Sequence, residues 1–229
     1  MDVKIIYEDS EVLVIDKPAG LTVNKAESTR GQETVQEWAE AHFEIANGEY
    51  REENEKEFAK KHGIVHRLDK DTSGVLIIAK MLESYLRLKS QFQNRETKKT
   101  YLALVHGLVE PEQGEINAPI DRNPFNRTHF GVFPGGREAA TSYKVYKNYN
   151  VYSLLEVFPK TGRTHQIRVH LKHIGHPIVS DPLYVGRKQL REDLKWCPRL
   201  FLHASRLEID GKLFEAPLPK DLEQVLKVV

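Results

Sequence analysis

Residues 62–80 read HGIVHRLDKDTSGVLIIAK, and the rest of the chain is read outward from them. Val75 to Ala79 is an apolar, β-branched run, as expected of a strand buried on both faces. The turn residues Thr72, Ser73 and Gly74 lead into it, and before them stand Arg67 and Asp69, two positions apart. A carboxylate is therefore held beside a cation, in a loop that enters a buried strand. Such an Asp often does no more than satisfy backbone amides at a turn. A reactive Asp must stay ionised, and burial opposes that, so a guanidinium is needed nearby; Arg168 is the candidate for the ion pair. Asp71, at i+2 in extended chain, points the opposite way, so the two carboxylates do not form the acid/base pair of a glycosidase.

Around this strand the sequence predicts two more at 3–8 and 11–16, followed by the turn Lys17-Pro18-Ala19-Gly20. Thr34–Phe43 reads as a helix with Val35, Trp38, Ala39 and His42/Phe43 on one face, and 81–94 as a second helix. Glu44–Lys61 is polar and Glu-rich without apolar periodicity, and is expected to be a mobile excursion before the active loop. Strand signals dominate afterwards, at Lys99–Leu108, Ser142–Tyr146, Val151–Phe158 and Phe201–Ile209. The turns within Asn117–Arg137 predict a long loop or hairpin there, and 219–228 a closing helix. Strands outnumber helices without βαβ alternation. The expected fold class is α+β, a mostly antiparallel mixed sheet flanked by helices in one domain spanning 1–229.

At 229 residues the chain can bury a substantial core. A single cysteine, Cys197, excludes an internal disulfide and a cysteine metal cluster, and suits a reducing compartment. No apolar run approaches the ~18 residues of a membrane span. The N-terminus lacks the basic and apolar regions of a signal peptide, so a cytoplasmic location is expected. The net charge is only +1, but it is unevenly spread. Glu33–Glu57 holds 9 acidic and 2 basic residues, and Phe158–Arg206 holds 10 Lys/Arg, 3 acidic residues and five histidines. That segregation implies a basic face whose field the net charge conceals. Charge balance and size suggest a monomer with no obligate protein partner.

The basic stretch contains a second motif, Thr161-Gly-Arg-Thr-His-Gln-Ile-Arg-Val-His-Leu-Lys-His-Ile-Gly175. Thr164 is placed to cap a helix with the apolar stripe Ile167, Leu171 and Ile174, and Gly175 to end it. His165, Arg168 and Lys172 then share another face, where a helix N-terminus with a basic row suits phosphate or a carboxylate. His165, His170, His173 and His176 raise a zinc possibility, but His165 and His170 lie about 140° apart on a 3.6-residue repeat. RNA contacts or packing explain these histidines better, and no metal site is assigned.

Four ordered motifs together resemble the RluA family of pseudouridine synthases. They are Asp16-Lys17-Pro18-Ala19-Gly20, His66-Arg-Leu-Asp-Lys-Asp-Thr-Ser-Gly74, Lys99-Thr100-Tyr101 and Gly162-Arg-Thr-His-Gln-Ile-Arg168. The resemblance covers nearly the whole chain and implies that family's catalytic-domain fold, without the small N-terminal RNA-binding domain of some relatives. It also implies roles: Asp69 as the catalytic aspartate, Arg67 as the side chain that takes the flipped nucleotide's place, Tyr101 as the aromatic under the uracil, and Arg168 as the ionic partner of the aspartate. Lys98, Lys99, Arg163, His165 and Lys172 would hold phosphates, giving salt-sensitive affinity.

The implied reaction converts uridine in ribosomal or transfer RNA to pseudouridine. It is redox-neutral and loses no atoms, so no cofactor is implied. The target base must leave its stack, at a cost of a few kcal/mol, which stacking on a platform partly offsets at about 1–3 kcal/mol per base. Two rivals stand beside this reading. A retaining, carboxylate-dependent glycosidase needs a second carboxylate about 5 Å from the first, where these motifs supply arginines. A non-catalytic RNA-binding module explains the basic stretch but not a guarded Asp.

Overall fold

The structure is a computed structural model that describes residues 3–45, 51–126 and 128–229. The chain divides into two compact units, Met1–Lys98 with Arg206–Ala216, and Lys99–Ser205 with Pro217–Val229.

In the first unit, β1 (Lys4–Glu8), β2 (Val12–Lys17) and β3 (Ser73–Ala79) pair antiparallel, with Val14 opposite Ile77 and Lys17 opposite Gly74. Every residue of β3 is buried, as its unbroken apolar run requires. Helix α1 (Val35–His42) starts at Thr34, whose hydroxyl accepts the Glu37 N–H while the Glu37 carboxylate accepts the Thr34 N–H. The Glu-rich stretch departs from expectation. Residues 46–50 lie outside the described residues, but Glu53–Lys61 forms a helix, α2. One buried side chain, Phe58, ties it to Tyr85 and Leu88 of α3 (Leu82–Gln93) and to Val75 and Ile77 of β3. A helix with one buried aromatic, its other ties being polar ones from Lys89 and Gln36, shows no apolar repeat, so periodicity could not reveal it.

Gly63 ends α2 and aims the chain at the 64–69 segment. Its φ is +73°, and a Cβ there would lie 1.8 Å from the Ala79 carbonyl oxygen. The Gly63 carbonyl in turn accepts the Ala79 N–H at 2.9 Å. Only glycine permits that conformation and that approach.

In the second unit the strands are β4 (Lys98–His106), β5 (Gln113–Asn117), β6 (Ile120–Arg122), β7 (Phe130–Val132), β8 (Ala140–Asn148) and β9 (Tyr152–Pro159). The order β4-β9-β8-β5 is antiparallel throughout, while β6 and β7 form a separate hairpin within the stretch predicted as loop or hairpin. Helix α4 (Gln166–His173) follows β9, then α5 (Arg187–Asp193). Leu104, Leu155, Leu171, Phe201 and Leu222 belong to one buried cluster. Strand β10 (Leu202–Ile209) pairs through its last residues with β11 (Lys212–Glu215), in the first unit, and α6 (Lys220–Val228) is the predicted closing helix. The fold is α+β with a mostly antiparallel sheet. Segments β5, α5 and β11 were not legible in the sequence: β5 buries only Ile116, α5 only Asp193 and β11 only Phe214. Among the described residues no helix is long and apolar enough to cross a membrane.

Candidate active site

In the first unit the Asp69 segment is fastened by a buried cation. Lys17 is wholly buried, and its ammonium donates to the carbonyls of Pro18 (2.8 Å), Leu21 (2.8 Å) and Lys70 (3.0 Å). The Gly20 N–H also donates to the Lys70 carbonyl, at 2.8 Å. The Asp16–Gly20 motif is thereby tied to the Arg-Leu-Asp motif. Leu68 is buried while Arg67 is exposed and Asp69 partly buried, so the anchor of this segment is the leucine. His66 accepts the Ile77 N–H at Nε2 (3.0 Å) and stacks on Phe92 with centroids 4.5 Å apart, holding the segment against β3 and α3. The Thr72 N–H closes a turn on the Asp69 carbonyl at 3.1 Å. Asp71 therefore occupies a turn rather than the extended chain assumed from the sequence, because that bond and the Lys17 contacts at Lys70 curl the backbone. Lys17 and His66 both stand in the quoted motifs without an assigned role, since nothing in a lone Lys or His signals these contacts.

On β4, Lys98 is exposed and its ammonium meets Glu208 at 2.8 Å. Strand alternation puts Lys99 and Tyr101 on one face. Lys99 is partly buried, and that burial pushes its ammonium pKa below the ordinary value. Tyr101 lies opposite Val157 of β9 and packs, half-buried, against the core of the second unit.

The second motif is shaped by Gln166. Its amide nitrogen donates to the Ala140 carbonyl and the Thr141 hydroxyl, both at 2.9 Å. Its amide oxygen accepts from the Thr161 hydroxyl (2.6 Å) and the Arg163 N–H (3.0 Å), so one buried side chain closes the 161–166 loop. The Arg163 Nε donates to the Glu138 carbonyl at 3.0 Å. Thr164 is not the cap of α4. That position belongs to His165, in the left-handed region at φ 55° and without a side-chain cap bond; the Gln166 bonds fold the loop one residue further than a Thr cap would. Gly175, at φ +88°, follows the helix end as expected. His170 is a packing residue. Its Nδ1 meets the Thr141 hydroxyl at 2.8 Å and its Nε2 the Ala118 carbonyl at 3.0 Å, and burial lowers its pKa.

Arg168 is buried, and its Nε and Nη2 donate to the two oxygens of Asp181 at 2.8 and 2.7 Å. Asp181 is fully buried and also accepts the N–H groups of Leu183 and Tyr184. The shared face predicted for His165, Arg168 and Lys172 has a centre that was not foreseen, Tyr184. The guanidinium of Arg168 lies 5.1 Å and the ammonium of Lys172 5.6 Å from its ring centroid, and Nδ1 of His165 lies 2.8 Å from its hydroxyl. Asp181 and Tyr184 fall in a Pro-containing loop without periodicity, and only contacts pick them out. Among the described residues no group of three His, Cys, Asp or Glu side chains is placed to hold a metal.

The family model described as RNA pseudouridylate synthase matches residues 11–173 of this chain, a span that holds Lys17, His66, Asp69, Tyr101 and Arg168, while Asp181 and Tyr184 lie beyond it. The chain belongs to the RNA pseudouridylate synthase family. It is 39% identical over 99% of its length to a ribosomal large subunit pseudouridine synthase D of Nitrosomonas europaea, of which it spans 65%. It is 37% identical over its full length to the protein of that name in Pseudomonas aeruginosa, of which it spans 72%. An uncharacterized RNA pseudouridine synthase of Chloroflexus aurantiacus is 43% identical over 93% of this chain, and 65% of that protein is covered. Among solved structures, human RNA pseudouridylate synthase domain containing 1 superposes with a TM-score of 0.70 at 26% identity, covering 96% of this chain and 84% of that one. For domain containing 4 the TM-score is 0.74 at 23% identity, over 98% and 92%, a likeness of fold.

The first unit supplies a carboxylate on a braced turn with an exposed arginine before it. The second supplies one buried and several accessible cations around aromatic rings.

Proposed function

We propose that this chain isomerises uridine to pseudouridine in large-subunit ribosomal RNA, with Asp69 as its essential group. The observation that carries the reading is the Asp69 turn, braced by buried Lys17 and His66 within a segment that matches the family. A surface carboxylate with no chemistry to perform needs no such bracing. The ribosomal target is inferred from relatives named ribosomal large subunit pseudouridine synthase D. The cytoplasm is the proposed place of action.

The reaction breaks the N1–C1′ bond, turns the base, forms a C5–C1′ bond, gives the C5 proton to water and takes a proton at N1, so atoms and electrons balance without a redox partner. Asp69 is required on either route to this outcome, as a nucleophile on C1′ or as the base that removes the 2′ proton. Tyr101 serves as platform for the base and Arg168 as the fixed positive charge. Arg67, exposed beside Asp69, fills the space left by the flipped nucleotide. Lys98, Lys99, Arg163, His165 and Lys172 bind phosphates.

RNA tritiated at uridine C5 provides the test. Wild-type protein is expected to release tritium to water from large-subunit ribosomal RNA, and Asp69→Asn to release none. Absence of release from ribosomal RNA with release from transfer RNA moves the target. Absence from both, or full release by Asp69→Asn, overturns the reading.

A further inference from the structure

Tyr184 is 4% exposed, and groups from three segments meet on it. Its hydroxyl oxygen accepts the N–H of Phe130 in β7 at 3.0 Å and lies 2.8 Å from Nδ1 of His165, where α4 begins. Its ring lies beneath the Arg168 guanidinium and the Lys172 ammonium, 5.1 and 5.6 Å from the centroid. Its own N–H donates at 3.1 Å to Oδ1 of Asp181, the carboxylate that grips Arg168. The rings of His129 and His165 stand nearly edge-on to it, at 5.9 and 5.7 Å.

A hydroxyl has one proton and two lone pairs. With the Phe130 N–H entering one lone pair, the hydroxyl meets Nδ1 of His165 through its proton or its second lone pair, according to the imidazole tautomer. The ring face attracts both cations through its quadrupole. Arg168 is thus fixed in its own plane by Asp181 and across that plane by Tyr184, while the hydroxyl joins the β6–β7 hairpin to the start of α4. That hairpin carries the exposed Phe125 in the loop after β6.

We propose that Tyr184 is a positioning residue for Arg168: its hydroxyl latches the β6–β7 hairpin to His165, and its ring holds the guanidinium in one orientation. This rests on the functional reading above only in taking Arg168 as the fixed charge of the reaction. Three measurements test it on the full chain: single-turnover tritium release at saturating RNA, equilibrium RNA binding, and the Arg168 side-chain Nε–Hε NMR signal without RNA. Tyr184→Phe keeps the ring and removes the latch. Expected are RNA affinity within about twofold of wild type, a saturating rate lower by about tenfold, and a shifted, broadened Arg168 signal. A saturating rate within about twofold of wild type, with the Arg168 signal unmoved, overturns the proposal. Should Tyr184→Phe fail to fold, 3-fluorotyrosine at 184 decides, since it keeps the fill but ionises at lower pH. The alkaline limb of its saturating rate is expected to move to lower pH, and an unmoved limb overturns the proposal. If wild-type protein releases no tritium, the functional reading fails, and the Arg168 signal still tests the positioning.

Discussion

Arg168 and Asp181 form a bidentate ion pair, at 2.8 and 2.7 Å, with both side chains buried. Their attraction offsets the desolvation of two charges only because the geometry is good and backbone N–H groups of 183 and 184 satisfy the remaining acceptor capacity. Removing Asp181 takes from the buried Arg168 guanidinium the carboxylate that grips it at two points. Asp181→Ala is therefore expected to destabilise the chain by about 3–5 kcal/mol, read as a lower urea midpoint. Loss below about 1 kcal/mol would show that the pair is not closed off from water.

Lys17 predicts a coupled loss of stability and local order. Replacing it by Met leaves the Pro18 and Leu21 carbonyls without this donor, each worth about 1–3 kcal/mol when buried and unsatisfied, while the Lys70 carbonyl keeps the Gly20 N–H. The expected result is a fall of several kcal/mol in unfolding free energy. Hydrogen exchange at Gly20 and Thr72 should also quicken, because both amides bond within the segment that Lys17 braces. Unchanged exchange at these amides would separate Lys17 from the Asp69 turn.

Lys99 should oppose stability while serving binding. Burial lowers its pKa, which means the folded state disfavours its charged form. Its contribution is unfavourable below the lowered value and fades as pH rises toward the ordinary ammonium range. Lys99→Met is thus expected to raise the urea midpoint at pH 7. It should also weaken RNA binding and reduce the log–log salt slope by about one phosphate contact. Stability and affinity falling together would contradict this assignment.

Asp193 sets an acid limit on the second unit. Burial would raise its carboxyl pKa, but bonds from His106 (2.9 Å), Gln189 (2.8 Å) and the Ser180 N–H (3.0 Å) outweigh that and hold it below the ordinary value. A depressed carboxylate contributes stability that is full above the unfolded pKa and is lost as pH falls through the folded one. Wild type should accordingly exceed Asp193→Asn by about 1–3 kcal/mol at neutral pH. The two should converge as the solution is acidified below the ordinary carboxylate range, in urea titrations from pH 7 downward. A constant gap across that range would rule out the linkage.

What the sequence determined by itself is local and periodic. Val75–Ala79 reads as a buried strand because five apolar residues in a row leave it no wet face. Thr34 and Glu37 announce a helix start because their bonds to backbone lie within four residues. The candidate site residues are named for the same reason: Arg67, Asp69, Tyr101 and Arg168 sit in short ordered motifs. Tertiary structure decided what depends on distant partners. Whether Lys17 is solvated or buried among three carbonyls depends on where Lys70 folds back. Arg168 acquires Asp181, and His165 and Lys172 acquire Tyr184, across loops that carry no period. Phe58 makes a helix of a Glu-rich stretch by reaching Tyr85. A single buried contact leaves no pattern along the chain, since its energy comes from a neighbour that only folding brings close.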